Sequence, residues 1–325
     1  MFSPFLGESL IQAYLEWKED AEDKSLCDVA FAVALDSWNE SVKADMEELV
    51  KEHGVNSFKI DMEAEGDEEG TSQFDNQQMI EIFECCKNLG AVVQVHAENG
   101  IAIKQNERKL KKRDITGPEG YLISRPDEVE EEAVSRALCL AKNVNVPLVI
   151  CAPTSKSVSE RILKKRAEGQ VVFVQPSIAS LTVDGSHIFN QCWSHAAAFV
   201  TSPPLRDDPE TPEALVDNIT DNEDGTFAVC SDHRTFNAAT KGEFGIDDFS
   251  AIPRGVNGVE ERMSLLWDKI VSSEKGGAEK FVSATSSNAA KIANIYPQKG
   301  NFNYIIELVQ TLQNITFIMQ LLLNK

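Results

Sequence analysis

The stretch Ala91-Val92-Val93-Gln94-Val95-His96-Ala97-Glu98-Asn99-Gly100 decides the fold. It opens as an apolar run of strand character and ends on an ionisable side chain just before a turn. Two other places repeat the pattern. Residues 55–62 carry Lys59, and Phe227-Ala228-Val229 runs on to Ser231-Asp232-His233. Short runs that are apolar on both faces are what a parallel sheet requires. In a parallel βα barrel the C-terminal ends of all strands collect on one face, and that face carries the chemistry. Lys59, His96 and Asp232 therefore read as parts of one site.

Residues 27–35, 147–151, 171–175 and 226–230 are further runs of this kind, rich in Val, Ala and Phe, which brings the predicted strands to six. Helix-like segments lie between them. In 75–89, Met79, Phe83 and Cys86 share a face, and Gly90 is placed to cap the end. Ser124-Arg125-Pro126 reads as a helix opening, with a capping hydroxyl, an early proline and acidic residues behind it. Residues 156–168 stop at Gly169, and 260–272 form a helix with Met263, Leu266 and Trp267 inward. The expected class is α/β: a TIM-like (β/α) barrel with about six of the roughly eight strands that such a barrel needs.

At 325 residues the chain can bury a large core, and 42% hydrophobic with 26% charged residues is ordinary for a globular protein. A formal net charge of −21 argues against nucleic acid and anionic membrane surfaces as partners. Cys27, Cys85, Cys86, Cys139, Cys151, Cys192 and Cys230 form no CxxC pair, and most sit in apolar runs. Reduced, buried thiols and a cytoplasmic location are the expectation. No secretory signal is read in residues 1–7, so Asn-x-Ser/Thr at Asn39, Asn218 and Asn314 count as chance matches. Residues 63–70 (EAEGDEEG) read as a solvated acidic loop, with a cation site as the alternative. Residues 304–323 are too polar for a membrane span and read as an amphipathic helix or an abnormal chain end.

At these residues the sequence resembles the dihydropyrimidinase family of cyclic-amide hydrolases and their relatives, the collapsin response mediator proteins. The matching blocks are GVNSFK (54–59), QVHAENG (94–100), DITGPEGYLISRP (114–126), TSKS (154–157), DGSH (184–187), AAAFVTSPPLRDDPETP (196–212), GVNGVEERMSLLWDK (255–269) and TSSNAAKIANIYPQKG (285–300). The resemblance implies a TIM-like barrel flanked by a small β-sandwich made from both chain ends, assembled as a homotetramer. It also implies two zinc ions bridged by a carbamylated lysine and held by an HxH pair, two further histidines and an aspartate. Paired metals lower the pKa of a bridging water and polarise the amide carbonyl.

Carried over by position, Lys59 matches the carbamylated lysine, His96 a histidine ligand, and Asp232 the aspartate that both ligates and shuttles the proton. Ser180 and Asn257 match residues that hold the ring amide of a small cyclic substrate. The departures weigh as much. The HxH strand would fall upstream of Met1, and Ala152 aligns with the next histidine ligand. Cys151 is adjacent, but successive strand residues face opposite sides, so it is not expected to substitute. The catalytic tyrosine aligns with Ala64, and after Gly300 the sandwich strands give way to an unmatched tail.

The resemblance thus implies a barrel domain over 1–300 with the sandwich largely missing, a divergent tail over 301–325, and a chain that reads as an incomplete version of a longer protein. By ancestry it is a zinc-dependent hydrolase of carbon–nitrogen bonds in cyclic amides, with catalysis expected to be impaired because half the metal ligands are absent. The alternative is a non-catalytic oligomeric scaffold of the response-mediator kind, bound to cytoskeletal or signalling proteins. Retention of Lys59 and Asp232 favours the first reading. Simpler structural roles stay open: a Lys59–Asp232 salt bridge, a hydrogen-bonded core histidine at His96, a loop or cap role for Asp232, and surface or structural roles for His187, His195 and His233.

Overall fold

A computed structural model describes residues 9–26, 29–64, 73–222 and 224–301. Five parallel strands form one sheet in sequence order: β1 (Val33–Ala34), β2 (Ser57–Asp61), β3 (Val92–His96), β4 (Leu148–Cys151) and β5 (Val172–Gln175). Helices connect them. α1 (Leu10–Glu22) precedes β1; α2 (Glu40–His53) and α3 (Asn76–Leu89) lead into β2 and β3; α4 (Gly100–Lys111), α5 (Glu119–Ile123) and α6 (Asp127–Val144) lead to β4; and α7 (Lys156–Ala167) leads to β5. Beyond β5 the parallel direction continues through bridges Val174↔Phe227, Ser177↔Cys230 and His233↔Val256.

The strand register sorts the side chains into two faces. Phe58, Ile60, Val93, Val95, Leu148, Ile150, Val172 and Val174 point outward and join Leu49, Ile82, Phe83, Leu138 and Ile162 of the helices in the main core. The opposite face carries Lys59, Gln94, His96, Cys151 and Gln175, above a small apolar cluster of Val149, Ala228 and Ile292. Burying the outer face stabilises the sheet; the inner face is left for polar work.

Local chemistry accounts for the helix ends. Asp75 caps α3 with a full capping box, Asp75 to the Gln78 N–H and Gln78 back to Asp75, and Gly90 closes it at φ +70°. Gly169 closes the turn after α7 at φ +88°, a left-handed conformation in which a side chain would be strained. Asn39, inside one of the Asn-x-Ser/Thr triplets, is the N-cap of α2.

Several expectations are corrected. The run at 27–35 yields only Val33–Ala34 as strand among its described residues, and 226–230 pairs through isolated bridges rather than a continuous ladder. Ser124 does not cap α6. Pro126 is its N-cap, and the Ser124 hydroxyl donates to the Tyr121 carbonyl at 2.8 Å, because Ser124 ends α5 instead. The helix foreseen at 260–272 is α-helical only over Arg262–Trp267 and continues as a π-turn. Leu266 and Ile270 are buried, but Met263 is 43% and Trp267 39% exposed.

Cys85, Cys86 and Cys151 are buried, whereas Cys139 and Cys192 are exposed; all the described cysteines are free thiols. Among the described residues no helix is long and apolar enough to cross a membrane. The stretch 304–323 lies outside the described residues.

Candidate functional site

Lys59, Gln94 and Val149 are register partners across β2, β3 and β4, and Asp61 pairs with His96 one layer nearer the C-terminal ends. Asp232 follows Cys230 at the next position around the sheet and sits in a left-handed conformation at φ +45°. Lys59, His96 and Asp232 do converge. Partial burial pushes the Asp232 carboxyl up, and Lys59 and His96 pull it back, although the residue as a whole is solvent-exposed at the mouth. Lys59 is half-buried, and among the described residues no carboxylate lies within 4.0 Å of its ammonium. The Lys59–Asp232 salt bridge foreseen as a simple structural role is therefore not made.

His96 is buried and crowded by oxygen. Its Nε2 lies 3.0 Å from Glu98 Oε2, 3.4 Å from Ser202 Oγ and 3.6 Å from Glu63 Oε2. Burial alone would lower its pKa, but Asp61, Glu63 and Glu98 outweigh that and hold it well above the ordinary histidine value. Glu63 is the surprise. Its residue opens the acidic stretch expected to be solvated, yet its side chain is 10% exposed and ion-paired. Arg125 Nη2 donates to Glu63 Oε1 at 2.9 Å; Arg254 Nη1 and, at 3.1 Å, Ser202 Oγ contact Oε2. Burial pushes this carboxyl up, but the hydrogen bond with His96 and the Arg125 and Arg254 charges hold it well below the usual carboxylate range.

Backbone constraints place Glu63 there. The Met62 N–H donates to the His96 carbonyl at 2.9 Å and extends β2 past its last strand residue. The Glu63 carbonyl then passes so close to Gly100 that a Cβ at that position would lie 2.0 Å from it. Only glycine fits after Asn99. At the base of the acidic loop, the Gln73 N–H donates to the Ala64 carbonyl at 2.9 Å. Residues 65–70 of that loop lie outside the described residues.

Asp61, Glu63 and His96 offer ligand atoms within 4.8 Å of one another, the one such trio of His, Cys, Asp or Glu among the described residues. Two guanidinium groups already balance Glu63, so a cation at this trio would have to displace them. Sequence reading missed Asp61 and Glu63. For Asp61 a signal was present: it stands two residues after Lys59, and the two-residue period of a strand puts both on one face.

Ala152 is buried at φ +48°, with its N–H donating to the Gln175 carbonyl at 2.9 Å. Ala152 follows the last residue of β4. The regular alternation of β4 puts Cys151 on the inner face with Val149, its Sγ 3.8 Å from Gln94 Oε1 and 3.9 Å from Gln175 Oε1. Cys151 therefore faces the site rather than away from it. Burial pushes its thiol up, with Lys59 and His96 pulling the other way, so it is a neutral thiol.

Ser180 and Asn257 are not brought into contact with this cluster. Ser180 is buried in the short helix Ile178–Thr182, with its hydroxyl donating to the Ser177 carbonyl at 2.8 Å. Asn257 is exposed, and its amide donates to Glu261 Oε1 at 2.6 Å. The remaining histidines have structural partners. His233 Nδ1 accepts from the Gly258 and Val259 N–H groups, and His187 pairs with His195 at 3.1 Å over the Phe199 ring.

Behind the mouth, Glu130 accepts from the Thr154 N–H at 3.0 Å and its hydroxyl at 3.2 Å. Arg206 meets Glu130 at 2.6 Å and donates to the Arg125 carbonyl at 2.7 Å. This buried pair ties the loop after β4 to the segment that carries Arg125.

No family model matches the chain. Individual relatives do. A dihydropyrimidinase of Dictyostelium discoideum is 45% identical over 300 residues, which cover 92% of this chain and 58% of that protein. One of Rattus norvegicus is 45% identical over 297 residues, 91% of this chain and 56% of that protein. The chain belongs to the dihydropyrimidinase family. Human dihydropyrimidinase-related protein 5 is 39% identical over 292 residues, covering 90% of this chain and 50% of its own. Among solved structures, a dihydropyrimidinase from Brevibacillus agri and a D-hydantoinase from a Bacillus species each match at TM-score 0.85 and 30% identity, covering 92% of this chain and 63% of theirs. The α/β fold and its parallel sheet are those of the TIM-barrel-like hydantoinases. The chain spans just over half the length of the dihydropyrimidinases it matches.

Proposed function

We propose that this chain descends from a zinc-dependent hydrolase of small cyclic amides, of the dihydropyrimidine or hydantoin ring-opening type, and that its own residues leave catalysis impaired. One observation carries the proposal. Ala152 stands buried at the end of β4, in a left-handed conformation, and offers no donor atom. The position is shaped like a ligand position and chemically empty.

The donors that this chain supplies do not fit two zinc ions bridged by a carbamylated Lys59. Such a centre needs several lone pairs on each metal, and here His96 Nε2 is already engaged by Glu98. What remains is a set of roles for the chain's own side chains. Asp232, its carboxyl pushed up by burial, would hold a proton for a leaving ring nitrogen. Asn257 keeps its carboxamide oxygen free to accept a ring N–H, and the Ser180 oxygen can accept a second. A barrel domain over 1–300, a divergent tail over 301–325, a homotetramer and a cytoplasmic setting belong to the same proposal. The share of this chain that is matched supports the first of these.

The other reading is a non-catalytic scaffold of the response-mediator kind. The likeness to a dihydropyrimidinase-related protein favours it, though at a lower identity than the likeness to the enzymes. Metal analysis of the purified chain together with a dihydrouracil hydrolysis assay tests the proposal. Well under one zinc per chain and no turnover are expected. About two zincs per chain with bicarbonate-dependent hydrolysis would overturn it.

A further inference from the structure

Glu63 occupies an environment built for an anion. Arg125, which is almost fully buried and stacks its guanidinium 3.8 Å above the Tyr121 ring, presents Nη2 to one carboxylate oxygen. Arg254 Nη1 holds the other, and the Ser202 hydroxyl is shared between that oxygen at 3.1 Å and Glu98 Oε2 at 2.9 Å. Two guanidiniums on one carboxylate supply fixed, paired donors of the type that recognises carboxylates. The three groups come from separate parts of the chain: Arg125 after α5, Ser202 in the loop beyond residue 200, and Arg254 ahead of Gly255. Residues 61–63, by contrast, are an extension of β2 that reaches across to fill the space between them.

We propose that Arg125, Arg254 and Ser202 form a carboxylate-binding cradle at the C-terminal edge of the sheet, that Glu63 is its resident internal ligand, and that the cradle accepts a small monocarboxylate once Glu63 is withdrawn. The charge pattern supports a site of this class. Arg125 has further carboxylates nearby, Glu107 at 3.3 Å and Glu98 at 4.0 Å. Among the described residues, Glu63 is the one carboxylate within 4.0 Å of Arg254. Withdrawing it leaves that guanidinium without a counter-charge. The Arg254 side chain is 37% exposed, so an anion can approach from that side. Opening a cyclic amide by water frees a carboxylate at the cleaved bond. On the reading given above, which this link alone rests on, the cradle takes that end of a ring-opened product and Glu63 competes with it.

The test is chemical rescue of Glu63→Ala, read by urea or thermal unfolding rather than by turnover, so that its failure is distinct from failure of the hydrolase reading. Formate or acetate in the tens of millimolar is expected to raise the unfolding midpoint of Glu63→Ala by about 1–3 °C. Sodium chloride at matched ionic strength is expected to give no such rise, and wild type and Glu63→Gln, whose side chains fill the space, should not respond to formate. Adding Arg254→Met to Glu63→Ala should abolish the gain. If Glu63→Ala does not fold, refolding yield in formate against chloride is read in the same way. Equal effects of chloride and formate, no effect of formate, or a gain that survives Arg254→Met would each overturn the proposal.

Discussion

Replacing Arg206 by methionine removes a guanidinium that is 4% exposed and in contact with Glu130, which is 1% exposed. Breaking a buried pair by deleting one partner typically costs about 3–5 kcal/mol, because the remaining charge is uncompensated. Two local facts place the expected loss near the lower end, about 3 kcal/mol at pH 7. Glu130 retains the Thr154 N–H and hydroxyl as donors. Its carboxyl is also already pushed up by burial against the pull of Arg206, so without that partner it takes up a proton instead of staying charged. The loss should therefore shrink as the pH is lowered toward 5, where a neutral Glu130 needs no counter-ion. Urea unfolding followed by circular dichroism at both pH values measures this. In the double variant Glu130→Gln/Arg206→Met, an amide oxygen still accepts from Thr154 and no buried charge is stranded, since Asp127, the other partner of Arg206 at 3.0 Å, is 47% exposed, so most of the stability should return. A cost below about 1 kcal/mol for Arg206→Met, or a double variant as unstable as the sum of its singles, would refute the reasoning.

Gly100→Ala should destabilise by more than about 2 kcal/mol, since its Cβ would meet the Glu63 main chain; thermal unfolding checks this, and a neutral effect would mean the close approach is not made. The pH profile of stability should be highest between pH 4.5 and 6.5, the ordinary values of glutamate and histidine. The raised His96 contributes fully below pH 6.5 and is lost as pH rises through its folded value; the depressed Glu63 contributes fully above pH 4.5 and is lost as pH falls through its own. His96→Asn should flatten the alkaline limb and Glu63→Gln the acid limb in urea titrations at stepped pH. Ala152→Gly should stabilise by up to about 1 kcal/mol by relieving left-handed strain, while Ala152→Val should destabilise by about 2 kcal/mol; indistinguishable midpoints for the two would contradict the backbone geometry.

How much of this was legible beforehand follows from how local each signal is. Apolar runs ending on Lys59 and His96 identified β2 and β3, because a strand buried on one face and polar at its tip needs only its own residues to declare itself. The caps of α3 are equally local, with Asp75, Gln78 and Gly90 all within reach of the helix they terminate. Glu63 was illegible for the opposite reason. It stands at the head of an acidic run, and the groups that bury it, Arg125 and Arg254, lie 62 and 191 positions away. The side that Cys151 faces was misjudged because position 152 was counted as an inward strand position, whereas Ala152 lies past the end of β4 in a left-handed conformation that alanine rarely takes and that composition does not advertise. At 260–272, Met263 and Trp267 were placed inward beside Leu266, but the buried stripe runs through Leu266 and Ile270 and leaves both flanking residues partly exposed.

The bend at Ala152 has a consequence for how such a protein can change. Holding a non-glycine residue in that conformation carries a standing penalty of roughly 1–2 kcal/mol, yet nothing on the methyl side chain repays it. The grip of Gln175 on its N–H and of Glu130 on Thr154 keeps the bend whichever side chain stands there. A new group at that spot would need no remodelling of the main chain. At position 152 the path of the main chain is thus set apart from the chemistry of the side chain, and either can be altered without disturbing the other.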